Sequence, residues 1–123
     1  MQSVQLINVR NLKVVGHSVW QATTFWTRLR GLLWRKKIAP GEGLWLIPCR
    51  QVHMFGMRYP LSVWFLDQTG MVCAILDELE PGAVTPRYLN AQSVLEFPAG
   101  WAKETDTREG DRLMILSPLL ELP

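Results

Sequence analysis

From Gly43 to Pro48 the chain alternates Leu44 and Leu46 against Trp45 and Ile47, apolar on both sides, as in a strand buried on two faces. Leu61–Asp67 repeats the pattern, with Leu61, Val63 and Phe65 set against Ser62, Trp64 and Leu66. Asp67-Gln68-Thr69-Gly70 then reads as a tight turn in which Gly70 takes positive φ, and Met71–Leu76 returns from it as a hairpin. Val4–Val9 and Leu12–Trp20 supply two opening strands; Ser93–Phe97 and Arg112–Ser117 supply two more, the last introduced by a Glu109-Gly110-Asp111 turn. One stretch changes period. Phe25, Leu29, Leu32 and Leu33 fall at i, i+4, i+7 and i+8 behind a capping Thr23 or Thr24, which predicts a helix over about 24–33. Pro40-Gly41 ends any continuation of it. The expected fold is therefore mainly β: a jelly-roll-like sandwich or small barrel of about seven short strands with one helix in the N-terminal half. No repeat or linker divides the chain, so residues 1–123 are expected to form a single domain.

Composition narrows the class without naming an activity. The 123 residues are 48% hydrophobic and 20% charged, which suits a globular core and excludes a disordered chain or a disulfide scaffold. No apolar run approaches the roughly 18–20 residues of a bilayer-spanning helix. The amino terminus has no basic segment followed by a long apolar stretch, so a cytoplasmic location is expected. Cys49 and Cys73 are too few for a disulfide framework and are expected as free thiols. The net charge of +2 hides an asymmetry: residues 1–66 hold nine Lys/Arg and one acid, residues 67–123 four Lys/Arg and ten acids. Such halves either pair with each other or leave a basic and an acidic face, and a bipolar surface is the expectation.

Candidate chemistry gathers in Pro48-Cys49-Arg50-Gln51-Val52-His53-Met54-Phe55-Gly56-Met57-Arg58-Tyr59-Pro60. A nucleophile–base pair of Cys49 and His53 needs a fold-back, because four extended residues span about 13 Å. A zinc site needs three or four ligands, and the remaining candidates, Cys73 and His17, share no ligand spacing with the first two. No metal and no cofactor are therefore expected. A pocket is the stronger reading: His53 and Arg58 orient a small anion, the guanidinium through paired hydrogen bonds, with rings from Trp45, Phe55 and Trp64 as walls. Arg58 paired with Asp67 or Asp111 is the plainer alternative. Glu42, Asp67, Glu96 and Asp111 sit in turn or strand contexts, and no catalytic residue is assigned among them. Neither a Gly-rich phosphate loop nor a Gly-x-Ser-x-Gly elbow occurs. A second cluster interleaves five basic residues with Trp26 and Trp34 between Trp26 and Lys37. Nucleic acid is not expected as its partner, since charge is near balance and no RRM, KH or helix-turn-helix signature appears.

Several segments, taken in order, resemble a known family. They are Arg30-Gly31-Leu32-Leu33-Trp34-Arg35, Gly41-Glu42-Gly43-Leu44-Trp45-Leu46, Pro48-Cys49 and His53-Met54-Phe55-Gly56-Met57-Arg58-Tyr59-Pro60. Phe65-Leu66-Asp67, Gly70, Val94-Leu95-Glu96-Phe97-Pro98-Ala99-Gly100 and Gly110-Asp111 follow. Together they resemble, over about residues 22–116, the prokaryotic family catalogued as domain of unknown function 192, in its short form without an export signal. The resemblance implies a mostly β, jelly-roll-like domain without an established activity. Ser62 stands where such relatives tend to carry an acid, and Met54 where a Thr is more usual. A carboxylate missing at 62 weakens proton transfer more than it weakens ligand binding.

The expected function is a non-catalytic module binding a small anionic ligand or a peptide through His53, Arg58, Ser62, Phe55 and Cys49. One alternative is a protein-interaction module using Trp26, Arg28, Trp34 and Arg35. The other is an enzyme with His53 as base or Cys49 as nucleophile.

Overall fold

Strands with apolar residues on both faces belong inside a sheet, and the computed structural model, which describes residues 2–23, 30 and 37–116, puts them there. The strands are β1 (Gln2–Asn8), β2 (Val14–Ala22), β3 (Glu42–Leu46), β4 (Leu61–Leu66), β5 (Val72–Leu79), β6 (Ser93–Pro98) and β7 (Leu113–Leu116). They form one sheet in the order β5-β4-β6-β3-β2-β1-β7, curled into a half-barrel. All six residues of β4 are buried, as its pattern demands. β2 and β3 run parallel, Val19 opposite Gly43 and Trp20 opposite Leu44; every other pairing is antiparallel.

Curling brings the two sheet edges together at one end. Met71 bridges Arg112, Val72 N–H donates to the Asp111 carbonyl (2.8 Å), and Leu113 N–H donates to the Gly70 carbonyl (2.9 Å). The core therefore divides in two. Leu6, Val19, Trp64, Leu95, Phe97 and Leu113, with Val72, form one cluster drawn from both edge strands. Side chains from opposite edges of a sheet meet only on its concave side, so this cluster fills the curl. Phe97 packs on Trp64 with ring centroids 4.7 Å apart. A Cβ on Gly43 would stand 2.6 Å from the Phe97 ring, which is why β3 carries glycine there. The second cluster, including Leu44, Leu46, Val63, Phe65 and Val94, lies on the outer face, under the connections that follow β3 and β5.

The expected strands are present, with ends displaced by a few residues; of the sandwich or small barrel expected, the described residues form a single curled half-barrel sheet and no second sheet packed on it. The helix expected over about 24–33 lies outside the described residues except Arg30, which is helical and buried. Trp26, Arg28, Trp34 and Arg35 also lie outside them. A helix the sequence does not announce, α1 (Trp101–Glu104), follows β6.

Candidate functional site

The stretch from Pro48 to Pro60 does not stand alone. Residues 50–54 run antiparallel to residues 82–88 as a strap over the outer face of the sheet. Tyr88 N–H donates to the Arg50 carbonyl (2.9 Å), Thr85 N–H to Val52 (3.0 Å), Met54 N–H to Ala83 (2.8 Å) and Gly82 N–H to Met54 (2.9 Å). His53 and Val84 form a bridge between the two segments. Period-two alternation then assigns the faces: Val52 and Met54 are buried against the sheet, while His53 and Phe55 point outward.

Where the strap meets the start of β6 lies a cavity of about 390 Å³. Its wall includes Cys49, Arg50, Gln51, His53, Arg87 and Gln92, two guanidinium groups and an imidazole, and among the described lining residues there is no carboxylate. Arg50 Nε is held by the Ala91 carbonyl (2.9 Å), and the Gln51 amide donates to the Thr85 carbonyl (2.9 Å). Arg87 is exposed and enters no ion pair among the described residues. Cys49 is buried, its Sγ 3.2 Å from the Gln51 carbonyl. Burial pushes its thiol up in pKa, and the charge of Glu96 pushes in the same direction. A catalytic thiolate needs the opposite shift.

The structure thus brings His53 and Cys49 to one hollow and leaves the other three expected residues outside its wall. Phe55 is 90% exposed. Arg58 is exposed and pairs with neither suggested acid, for Asp67 caps its own turn and Asp111 is taken by Arg10. Ser62 shares the Trp64 face of β4. Its hydroxyl donates to Asp77 Oδ1 (2.6 Å) and accepts from Trp64 Nε1 (2.7 Å), while Asp77 also accepts from the α1 amides of Ala102 and Lys103. Ser62 therefore ties the concave core to α1. Trp45 and Trp64 also pack on the concave side, away from His53.

Three residues of the region, Glu96, Arg30 and Arg87, escape sequence reasoning as site members. Glu96 is wholly buried in the middle of β6, on the outer face between Leu44 of β3 and Val63 of β4. Arg30 Nε reaches its two carboxylate oxygens at 3.0 and 2.8 Å. The same guanidinium donates to the His53 carbonyl (2.5 Å) and approaches Met54 Sδ (3.2 Å). One buried ion pair therefore pins the strap to the sheet and fixes the backbone that presents His53. A glutamate within an otherwise apolar strand was the available signal, since burying a charge is costly without a partner. Arg87 gives no such signal, because only pairing across the strap brings it near Arg50. Among the described residues no three His, Cys, Asp or Glu side chains gather in a metal-holding group, and no helix is long and apolar enough to cross a membrane.

A curled seven-stranded sheet with a strap across its outer face defines a β domain with a polar surface cavity. Residues 7–115 match the model of domain of unknown function 192, described as an uncharacterised ACR, and the chain belongs to that family. A protein of Sinorhizobium meliloti 1021, provisionally described as a transcription regulator, has a similar crystal structure, at 26% identity and a TM-score of 0.74 over 91% of each chain. A protein of unknown function from Novosphingobium aromaticivorans DSM 12444 is similar at 21% identity and a TM-score of 0.74, over 91% of this chain and 83% of that one. No curated protein matches the chain.

Proposed function

We propose that this protein is a non-catalytic binding domain whose strap cavity holds a small anionic ligand through Arg87, Arg50 and His53. One observation carries the reading: a hollow of about 390 Å³ walled by two guanidinium groups and an imidazole, with no acid among its described lining residues. Unpaired positive groups around a concave surface focus the field on an anion, and a guanidinium suits a carboxylate or phosphate through two parallel hydrogen bonds. Absence of catalysis fits the raised thiol of Cys49, which sits on the cavity wall as a buried neutral group. Cys49 and Cys73 are both free, which fits a cytoplasmic setting.

Isothermal titration with inorganic phosphate and with short carboxylates tests this. Binding that weakens at least tenfold in Arg87→Ala, and that falls as salt rises, is the expected result. Arg58→Ala removes an exposed charge outside the cavity wall and should leave the affinity within about twofold. Binding lost equally in both variants would show a general charge effect and remove the cavity from the account.

A further inference from the structure

The anion cavity shares lining residues with two neighbouring hollows. Gln92 lines it, lines a neighbouring hollow of about 400 Å³, and lines a third of about 330 Å³. Arg50 joins the first hollow to the second; Asp67, Gln68 and Thr69 join the second to the third. Chemistry changes along this path in a definite order. Arg87 and Arg50 make the first end cationic, with the His53 imidazole beside them. Asn90, Gln92 and Gln68 stand in the middle, and none of their side-chain amides hydrogen-bonds within the described residues. The far end is mainly apolar, walled by Trp45, Ile47, Leu66, Leu113, Met114 and Ile115, with the Asp67 carboxylate at its junction with the middle, where it accepts from the amides of its own turn. Ser93 holds the Trp45 indole in place through a 2.9 Å bond from Nε1.

We propose that these three hollows form one groove that binds the C-terminal end of an extended peptide. The terminal carboxylate sits at Arg87 and Arg50, main-chain amides pass the carboxamides of Gln92, Asn90 and Gln68, and an apolar side chain upstream fills the hollow at Trp45. The proposal deepens the anion reading and rests on it. Its middle third decides the ligand class. Gln68, Asn90 and Gln92 are exposed, and their amides offer donors and acceptors that a peptide backbone can pair with and an alkyl chain cannot. Carboxylate at one end and apolar side chain at the other complement the cationic and mainly apolar ends of the groove.

The test uses the full chain and acetylated hexapeptides of alanine, with a single phenylalanine moved through the positions upstream of a free carboxylate. Acetate, octanoate and the C-terminal amide of the best peptide complete the panel. At one phenylalanine position the peptide should bind at least tenfold tighter than the all-alanine peptide. Amidation and Arg87→Ala should each cost tenfold or more. Ile115→Asp, at a half-exposed position where a polar side chain is tolerated in folding, should remove the phenylalanine advantage and leave acetate binding unchanged. Met114→Asp provides the same readout at a neighbouring exposed residue. If acetate binds in an Arg87-dependent way and no phenylalanine position gives an advantage, the peptide proposal fails and the anion reading stands. Octanoate binding as tightly as the best peptide also overturns it, in favour of an acyl chain. If neither acetate nor any peptide depends on Arg87, both readings fall together.

Discussion

Two buried residues show how surroundings decide chemistry at the scale of a single side chain. Cys49 has the residue type of a nucleophile, yet burial and the charge of Glu96 both raise its thiol pKa; burial raises that of Cys73 as well. Both thiols are therefore expected to react with a disulfide reagent more slowly than free cysteine at pH 7.5, and at the ordinary rate in urea. A fast-reacting Cys49 in the native protein would restore the nucleophile to consideration. Asp111 shows the opposite balance. Burial raises its carboxyl, but hydrogen bonds from Arg10, Asn8 and the Arg108 N–H outweigh that and hold it down to about 2. The folded state thus favours the ionised form more than the unfolded chain does. That contribution is complete above the unfolded pKa near 4 and is lost as pH falls through about 2. Asp111→Asn should destabilise at pH 7, by about 1–3 kcal/mol from the weakened bonds, and the gap from wild type in urea unfolding should narrow towards pH 2.5. A gap that does not change with pH would mean the carboxylate charge adds nothing.

β6 carries the clearest conflict between an element's pattern and its content. Its alternation demands burial on both faces, and Glu96 occupies one of those buried positions. Removing one partner of a buried ion pair leaves a desolvated charge, at a cost of about 3–5 kcal/mol, while replacing both by apolar groups is close to neutral. Glu96→Leu and Arg30→Met should each lower stability strongly, and the double variant should be more stable than either single one. Guanidinium unfolding of the four proteins measures this; a strictly additive double variant would show that the pair does not act as a unit. The same element marks where sequence legibility ends. Strands were legible because period two needs only neighbouring residues, and Gly70 was legible because a turn is local. Ser62 lies outside the cavity wall, because its parity with Trp64 sends it to the concave side, and the sequence gives no sign of which face carries the cavity. α1 was invisible since its first amides are capped by Asp77 of β5, a contact over some two dozen residues. Within the cavity, Cys49 and His53 were legible from their shared stretch. Arg87 was not, because the strap that delivers it is a long-range pairing.

At the scale of the whole molecule, the opposed charges of the two halves are partly consumed in joining them. Arg10 binds Asp106 and Asp111, and Arg30 binds Glu96, so described cations of the first half hold acids of the second. Closure of the curl depends on something smaller. Gly70 sits at φ +86° at the end of the β4–β5 turn, and its carbonyl accepts from Leu113 N–H, where β7 begins. A Cβ at this glycine would lie 2.7 Å from the Leu113 carbonyl oxygen, which is backbone and cannot swing aside. Gly70→Ala therefore meets two penalties, an unfavourable φ for an L side chain and a collision across the seam. The expected outcome is a loss of about 1–3 kcal/mol, concentrated where the edges meet. Hydrogen exchange should show it first at the amides of Val72 and Leu113, which bond across the seam, while the amides pairing β4 with β6 keep their protection. Uniform loss of protection would mean that the half-barrel opens only by unfolding as a whole. Local loss would show that the seam is a separable closure, and the phenylalanine advantage proposed for the apolar hollow beside it, lined by Gly70 and Leu113, should then fall before acetate binding does.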